Sequence, residues 1–209
     1  MVKKIVFIGP AAAGKTSIRK FFFEATPADT LLATSEPATI GMKFKEYEYV
    51  YTYPVEPANA GERERIPMKL ALIDSAGQQI NDWLGPQKEM LFNGADILFF
   101  IFDVSCWLDS GGKQQCLEHV RKIMEIKRQL AASANFYILA HKFDTIASTV
   151  DAPRELVSKI RQDISDYIFD TMKLMLQFDV SLTSLEKEFR KDTFFLLLEK
   201  TTNILGKLL

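Results

Sequence analysis

Apolar positions along this chain follow two alternating rhythms. Three short runs are almost continuously hydrophobic: KIVFIG (4–9), ADILFFIFDVS (95–105) and NFYILAH (135–141). Such runs predict strands covered on both faces. Segment 113–131 instead carries apolar residues at 116, 117, 120, 123, 124 and 130, the spacing of an amphipathic helix. In 151–170, Leu156, Ile160, Ile164, Tyr167 and Ile168 line one side of a second helix. Asp151 is its expected cap and Pro153 falls in its first turn. In 44–53, Tyr47, Tyr49, Tyr51 and Tyr53 recur at period two, a strand with one aromatic face. Turn chemistry at 57–63 and a strand at 66–74 make 44–74 a hairpin with a long loop. A helix is predicted from Gly14 to about Glu24, and a last strand at 174–181. Thr183-Ser184-Leu185-Glu186 fits a capping box for a C-terminal helix of about 20 residues.

Strand–helix alternation with one early hairpin predicts a three-layer α/β fold. Its six-stranded sheet is mostly parallel, with one antiparallel hairpin strand. A length of 209 residues suits a single domain, 1–209, with room for a substantial core. A formal net charge of −1 gives no general attraction to nucleic acid or an acidic membrane. The two cysteines, Cys106 and Cys116, form neither a CxxC pair nor a Cys/His cluster, so they read as free thiols in a reducing compartment. No uncharged apolar run is long enough to span a bilayer, and the first apolar run stops at Gly9, which is no secretory leader. Val2 follows the initiator, and no C-terminal cysteine offers a prenylation site. A cytoplasmic protein without a lipidation motif is expected.

In such a sheet, ligands bind beyond the carboxyl ends of the strands, and the chemistry-bearing residues fall there. GPAAAGKT (9–16) matches G-x-x-x-x-G-K-[ST] between a predicted strand and a predicted helix. Backbone N–H groups from Ala12, Ala13 and Gly14 to Ser17 would cradle phosphate oxygens. Lys15 would bring a charge to the β/γ-phosphates, and the Thr16 hydroxyl would ligate Mg²⁺. IDSAGQQ (73–79) then fits D-x-x-G. Asp74 would hold Mg²⁺ through a water, the Gly77 N–H would reach a γ-phosphate oxygen, and Gln78 would orient an attacking water. A further metal and γ-phosphate ligand is expected from Thr39 in SEPATIGMKF (35–44), with Thr34 and Thr30 as competitors. Segment 25–40, rich in Pro, Thr, Ser and Ala, suits a stretch that orders on binding nucleotide. Trp83, in a segment without clear periodicity (80–94), is either core or an anchor for a partner that senses the switch.

AHKFD (140–144) ends a buried strand one residue away from N-K-x-D. Asp144 would accept from N1–H and the exocyclic amine of guanine, two donors adenine lacks in that arrangement. The Lys142 stem would lie over the base, and His141 would donate from a ring nitrogen. In VSLTS (180–184), Ser181 and the backbone N–H of Leu182 would complete the site at the guanine O6.

With these motifs in order the chain resembles the Ras-like small GTPases over nearly its full length, and within them the Rag/Gtr branch. The residues carrying the likeness are GKTSIRKFFF (14–23), ATIG (38–41), DSAGQ (74–78), FDVS (102–105), HKFD (141–144) and VSLTSLEKEF (180–189). The histidine of the base motif is that branch's habit. The resemblance implies a P-loop NTPase G domain, GTP and GDP as ligands, Mg²⁺ as cofactor and slow hydrolysis. It also implies protein effectors and regulators through the switch segments, of roadblock type or another GTPase. The C-terminal roadblock-like domain of Rag-type proteins is not expected within 1–209. Ala11 and Ala12 replace glycines common in Ras-like proteins, and their methyl groups would crowd the γ-phosphate side. A nucleotide-bound scaffold that hydrolyses nothing is therefore the alternative, with Gln78 arguing against it. An ATPase or nucleotide kinase is disfavoured by HKFD and by the lack of an arginine-rich lid.

Overall fold

A computed structural model of the chain describes residues 2–34, 41–54, 63–75, 77, 80–175 and 177–202. In chain order the elements are β1 (Val2–Ile8), α1 (Lys15–Phe23), α2 (Ala28–Ala33), β2 (Met42–Pro54) and β3 (Arg63–Ser75). Then come α3 (Ile80–Trp83), α4 (Lys88–Phe92), β4 (Ile97–Asp103), α5 (Ser110–Leu130), β5 (Asn135–His141), α6 (Pro153–Met172), β6 (Asp179–Leu182) and α7 (Arg190–Thr202). Among the described residues these strands form one six-stranded sheet in the order β2-β3-β1-β4-β5-β6. The β2–β3 pair is antiparallel, running from Met42 opposite Ser75 to Pro54 opposite Arg63. The other four pairs are parallel. The expected mostly parallel α/β sheet with one antiparallel hairpin strand is what forms.

The continuous apolar runs fold as the period-two rule requires, with alternate residues feeding opposite layers. Val6 and Ile8 of β1, with Leu98, Phe100 and Phe102 of β4, face a core shared with α5 and α6. Ile5 and Phe7, with Ile97, Phe99 and Ile101, face a second core closed by Ile18 of α1 and Leu197 of α7. On that second face Phe7 stacks on Phe99 at 5.4 Å, and Phe99 meets Tyr137 at 5.5 Å. One aromatic row thus crosses three parallel strands and fixes their register against slippage.

Several boundaries differ from expectation for local reasons. Helix α5 begins at Ser110 rather than 113, because Asp109 caps it by accepting from the Gly112 N–H at 2.7 Å. Ala152, not Asp151, precedes α6 and supplies no side-chain cap, while Pro153 opens the first turn. The last strand has four residues, not eight. Helix α6 stops on Lys173 in a left-handed conformation (φ 55°), and the chain loops before re-entering the sheet at Asp179. The capping box does not form: α7 starts at Arg190, and its described part is 13 residues long. Segment 80–94 reads aperiodic because it is two short helices joined by a turn. Trp83 is 3 % exposed within the core beside α5, so it is no partner anchor. Part of 25–40 is helix α2, whose Ala28 and Leu31 pack on Leu185. No helix among the described residues is long and apolar enough to cross a membrane.

Candidate functional site

The carboxyl ends of β1, β3, β4 and β5 share one edge of the sheet, and the loops leaving them converge. The first is the phosphate-loop sequence between β1 and α1. Gly14 precedes α1 with φ 89° and offers no side-chain cap, and the first turn holds no acidic residue. The N-terminal N–H groups of α1 therefore have no side-chain acceptor of their own from Gly14, and the helix presents its positive end to the loop. Ala12 also has positive φ (58°), which curls the loop, while Ala13 is buried in the core against β1. Lys15 is 6 % exposed, with Nζ donating to the Pro10 carbonyl at 2.7 Å across the loop. Its charge sits inside the curve, where phosphate oxygens are expected. Thr16 and Ser17 follow in the first turn, half-buried.

Strand β3 brings the second loop. Asp74 pairs with Phe7 of β1 and with Lys43 of β2, at the carboxyl end of the strand. The buried Ser75 hydroxyl donates to the Phe7 carbonyl at 3.1 Å and pins this end to β1. Gly77 then lies directly on the phosphate loop: a Cβ there would come within 2.3 Å of the Ala11 nitrogen. Only glycine permits that approach. Gln78 and Thr39 lie outside the described residues. Of the competing threonines, Thr34 donates its hydroxyl to the Thr30 carbonyl at 2.8 Å, closing α2.

The third loop leaves β5. His141 is 4 % exposed, and its Nδ1 is hydrogen-bonded to the Thr183 hydroxyl at 3.1 Å. The other edge of the ring meets the phosphate loop, for a Cβ on Gly14 would fall 2.3 Å from His141 Cδ2 and 2.8 Å from Nε2. The ring of this expected base donor thus also fills the space between two loops. Burial, with the Lys142 charge beside it, pushes the His141 imidazole down to about 4, so the ring is neutral near pH 7. Lys142 takes left-handed backbone (φ 60°) and turns the chain into a 3₁₀ turn at Phe143–Thr145. Its ammonium lies 3.0 Å from Asp103 at the end of β4. Burial alone would raise the Asp103 carboxyl, but hydrogen bonds from Ser105 and Lys142 outweigh it and hold the group below the usual carboxylate range.

Asp144 accepts a short hydrogen bond from the Ser184 hydroxyl, which in turn accepts from the Glu186 N–H at 3.0 Å. Thr193 of α7 clasps Ser184 from behind, its hydroxyl accepting from the Ser184 N–H (3.0 Å) and donating to the Ser184 carbonyl (2.8 Å). Ser181 and Leu182, named from sequence, are strand residues opposite Leu139 and Ala140. The loop that touches Asp144 starts one residue later. The residues sequence reading missed here are Thr183, Ser184 and Thr193. The length of β5 carried the signal, since a parallel partner ending opposite Ala140 releases its loop at Thr183.

One edge therefore gathers a lysine-bearing loop at the N-terminus of α1, a glycine from the loop after β3 pressed on it, and a carboxylate held by a serine. His141 links the last to the first. A family model described as the Gtr1/RagA G protein conserved region matches residues 4–189. Ras-related GTP-binding protein B of Rattus norvegicus is 24% identical over 178 residues, covering 78% of this chain and 45% of that protein. The GTP-binding protein gtr1 of Schizosaccharomyces pombe is 22% identical over 200 residues, covering 93% of this chain and 54% of that protein. Ras-related GTP-binding protein A of Dictyostelium discoideum is 22% identical over 148 residues, 70% of this chain and 42% of that protein. The chain thus spans about half the length of the curated relatives it matches. A family match over nearly the whole sequence, on a fold whose loops meet at one sheet edge, makes this chain a member of the Gtr1/RagA G protein family.

Proposed function

We propose that the chain is a guanine-nucleotide switch that binds GTP and GDP with Mg²⁺ and hydrolyses GTP slowly. The observation that carries this reading is the His141 wedge. It stands between the phosphate loop at Gly14 and the Asp144–Ser184 loop, so the candidate phosphate and base sites are in contact through one side chain. In this reading the N–H groups from Ala12 to Ser17 take the phosphates, Lys15 supplies the charge, and Gly77 and Thr39 respond to a γ-phosphate. Asp144 reads the guanine edge, with Ser184 fixing its carboxylate. The O6 contact, first assigned to Leu182, moves to the loop beyond β6.

The Mg²⁺ donors would be Thr16, Thr39 and Asp74. Thr16, in the first turn of α1, and Asp74, on β3 beside β1, fit the ion chemically as hard oxygen donors. So few protein ligands suit Mg²⁺, which keeps waters and phosphate oxygens, better than an all-protein cage. When bound, the ion would neutralise charge on the phosphates. The chain's own contribution is to align Gln78 with the attacking water and to keep the phosphates in the cradle. Effectors and regulators would dock on the switch segments.

A second reading, a scaffold that binds nucleotide without turnover, is favoured by one observation. Gly77 presses on the Ala11 backbone, and Ala11 and Ala12 carry methyl groups where glycines are common in Ras-like proteins. Single-turnover GTP hydrolysis by the purified chain decides between them. Release of phosphate at about 10⁻⁴ to 10⁻² s⁻¹ supports the switch, and none over a day supports the scaffold.

A further inference from the structure

Lys142 is held at both ends. Its backbone is left-handed (φ 60°), a costly conformation for a residue with a Cβ, and this fixes the direction in which the side chain departs. Its far end, the ammonium, is 3.0 Å from a carboxylate oxygen of Asp103. Asp103 stands directly opposite His141 in the β4–β5 ladder, so it sits at the same sheet edge. Its carboxylate cannot swing freely either. The other oxygen accepts from the Ser105 N–H at 3.0 Å and the Ser105 hydroxyl at 2.7 Å. Between these anchors the four-carbon stem of Lys142 runs along the carboxyl edge from β5 to β4, beside Asp144.

We propose that Asp103 is a positioning residue for the base site, holding the Lys142 stem as a preset apolar platform for the base of a guanine nucleotide. The proposal rests on the guanine reading given above. A free lysine stem samples many rotamers, and ordering it on binding weakens affinity. Anchored at both ends before the ligand arrives, it loses little more. An ordinary surface ion pair would do something else: with Lys142 and Asp103 at 36% and 25% exposure, it would contribute little to stability and nothing to ligand release. The two roles therefore separate experimentally.

The test is release of fluorescent N-methylanthraniloyl-GDP from the full chain and from Asp103→Asn, Asp103→Glu, Lys142→Met and the double variant Asp103→Asn/Lys142→Met. Asp103→Asn should speed release roughly three- to tenfold, the effect of one newly mobile side chain. Asp103→Glu, which keeps the charge, should recover part of it. In the Lys142→Met background Asp103→Asn should add nothing, because the group it positions is gone. A parental rate for Asp103→Asn, or the same acceleration in the Lys142→Met background, overturns the proposal. A second measurement needs no nucleotide: acylation of Lys142 by an amine-reactive ester, followed by peptide mass spectrometry. Asp103→Asn should raise its labelling severalfold, and unchanged labelling overturns the anchor. Should Asp103→Asn fail to fold, Ser105→Ala removes a bond that fixes the carboxylate. It should show both effects in smaller size, and parental values for both overturn the proposal. The parent chain binding ADP as well as GDP would instead sink the guanine reading itself, an outcome separate from these.

Discussion

Acid should loosen this domain in a pH range where few other groups titrate. The chain has two histidines, and both are buried: His141 at 4 % exposure between two loops, and His119 at 4 % on α5 against the edge of Phe100. The His119 Nδ1 has no hydrogen-bond partner among the described residues, and burial, with the Lys122 charge, pushes its imidazole down as well. A histidine whose folded value is depressed is protonated first in the unfolded chain. Stability is therefore full above about 6.5, the unfolded value, and falls as pH drops toward the folded value. For His141 that folded value is about 4. The free energy lost by pH 5 is then about 2 kcal/mol, and His119 adds to it in the same direction. Carboxylates confuse this window little. Glu118, held down to about 2 by Arg121 and Tyr167 against its burial, begins to lose stability only near its unfolded value of 4.5. Urea unfolding at pH 7.5, 6.0 and 5.0 measures the slope directly. The companion variant His141→Asn keeps a hydrogen-bonding side chain toward Thr183 but does not titrate. Its slope should shrink to the share of His119. If His141→Asn loses as much stability between pH 6.5 and 5 as the parent, His141 is not held neutral by its burial, and the wedge between the loops is wrongly described.

Three more variants test the proposed site. Gly14→Ala meets both a left-handed backbone, costing about 1–2 kcal/mol, and the His141 ring. It should lower the unfolding midpoint and weaken GDP binding together, as read by urea unfolding and calorimetry. Lys15→Ala removes the charge inside the phosphate loop and should cost about 1.5–3 kcal/mol of GDP affinity by calorimetry. It leaves the His141 contacts intact, so a thermal midpoint that falls as far as that of Gly14→Ala would contradict the division of roles. Gln78→Leu should bind GTP with parental affinity yet release phosphate more slowly in single turnover, and a parental rate removes Gln78 from the hydrolytic machinery.

Much of the fold was legible because its signals are strong and one-sided. β4 and β5 must be apolar on both faces to lie between two helical layers, so their runs announce themselves. The strand–loop–helix at 9–16 was legible for a similar reason, since glycine, lysine and threonine stand there at fixed offsets between an apolar run and a helical one. What failed were local signals overruled by distant contacts. Thr183-x-x-Glu186 is a fair capping box, yet pairing of β6 with β5 draws Thr183 to His141 and Ser184 to Asp144 before α7 begins. Trp83 sits among polar neighbours in sequence, but the two short turns around it point the indole inward. His141 carries the plainest lesson. Its residue type speaks of hydrogen bonding to a ligand, and its ring also lies against Gly14, at the other end of the candidate site. The Asp103–Lys142 pair was hidden too, because it depends on the register of two strands rather than on any spacing along the chain.

Base preference remains the property on which the functional reading stands or falls. The purified chain, stripped of nucleotide, should be titrated with labelled GDP in competition with unlabelled GDP and ADP at fixed Mg²⁺. Asp144 is hydrogen-bonded by Ser184, which Thr193 backs; in the proposed reading it would meet two donors on guanine and none in that arrangement on adenine. A polar site left unpaired rejects the wrong ligand strongly, so GDP should win by at least about a hundredfold. Equal competition by ADP would mean that the loop from His141 to Asp144 does not read the base, and the guanine-nucleotide switch would be lost with it.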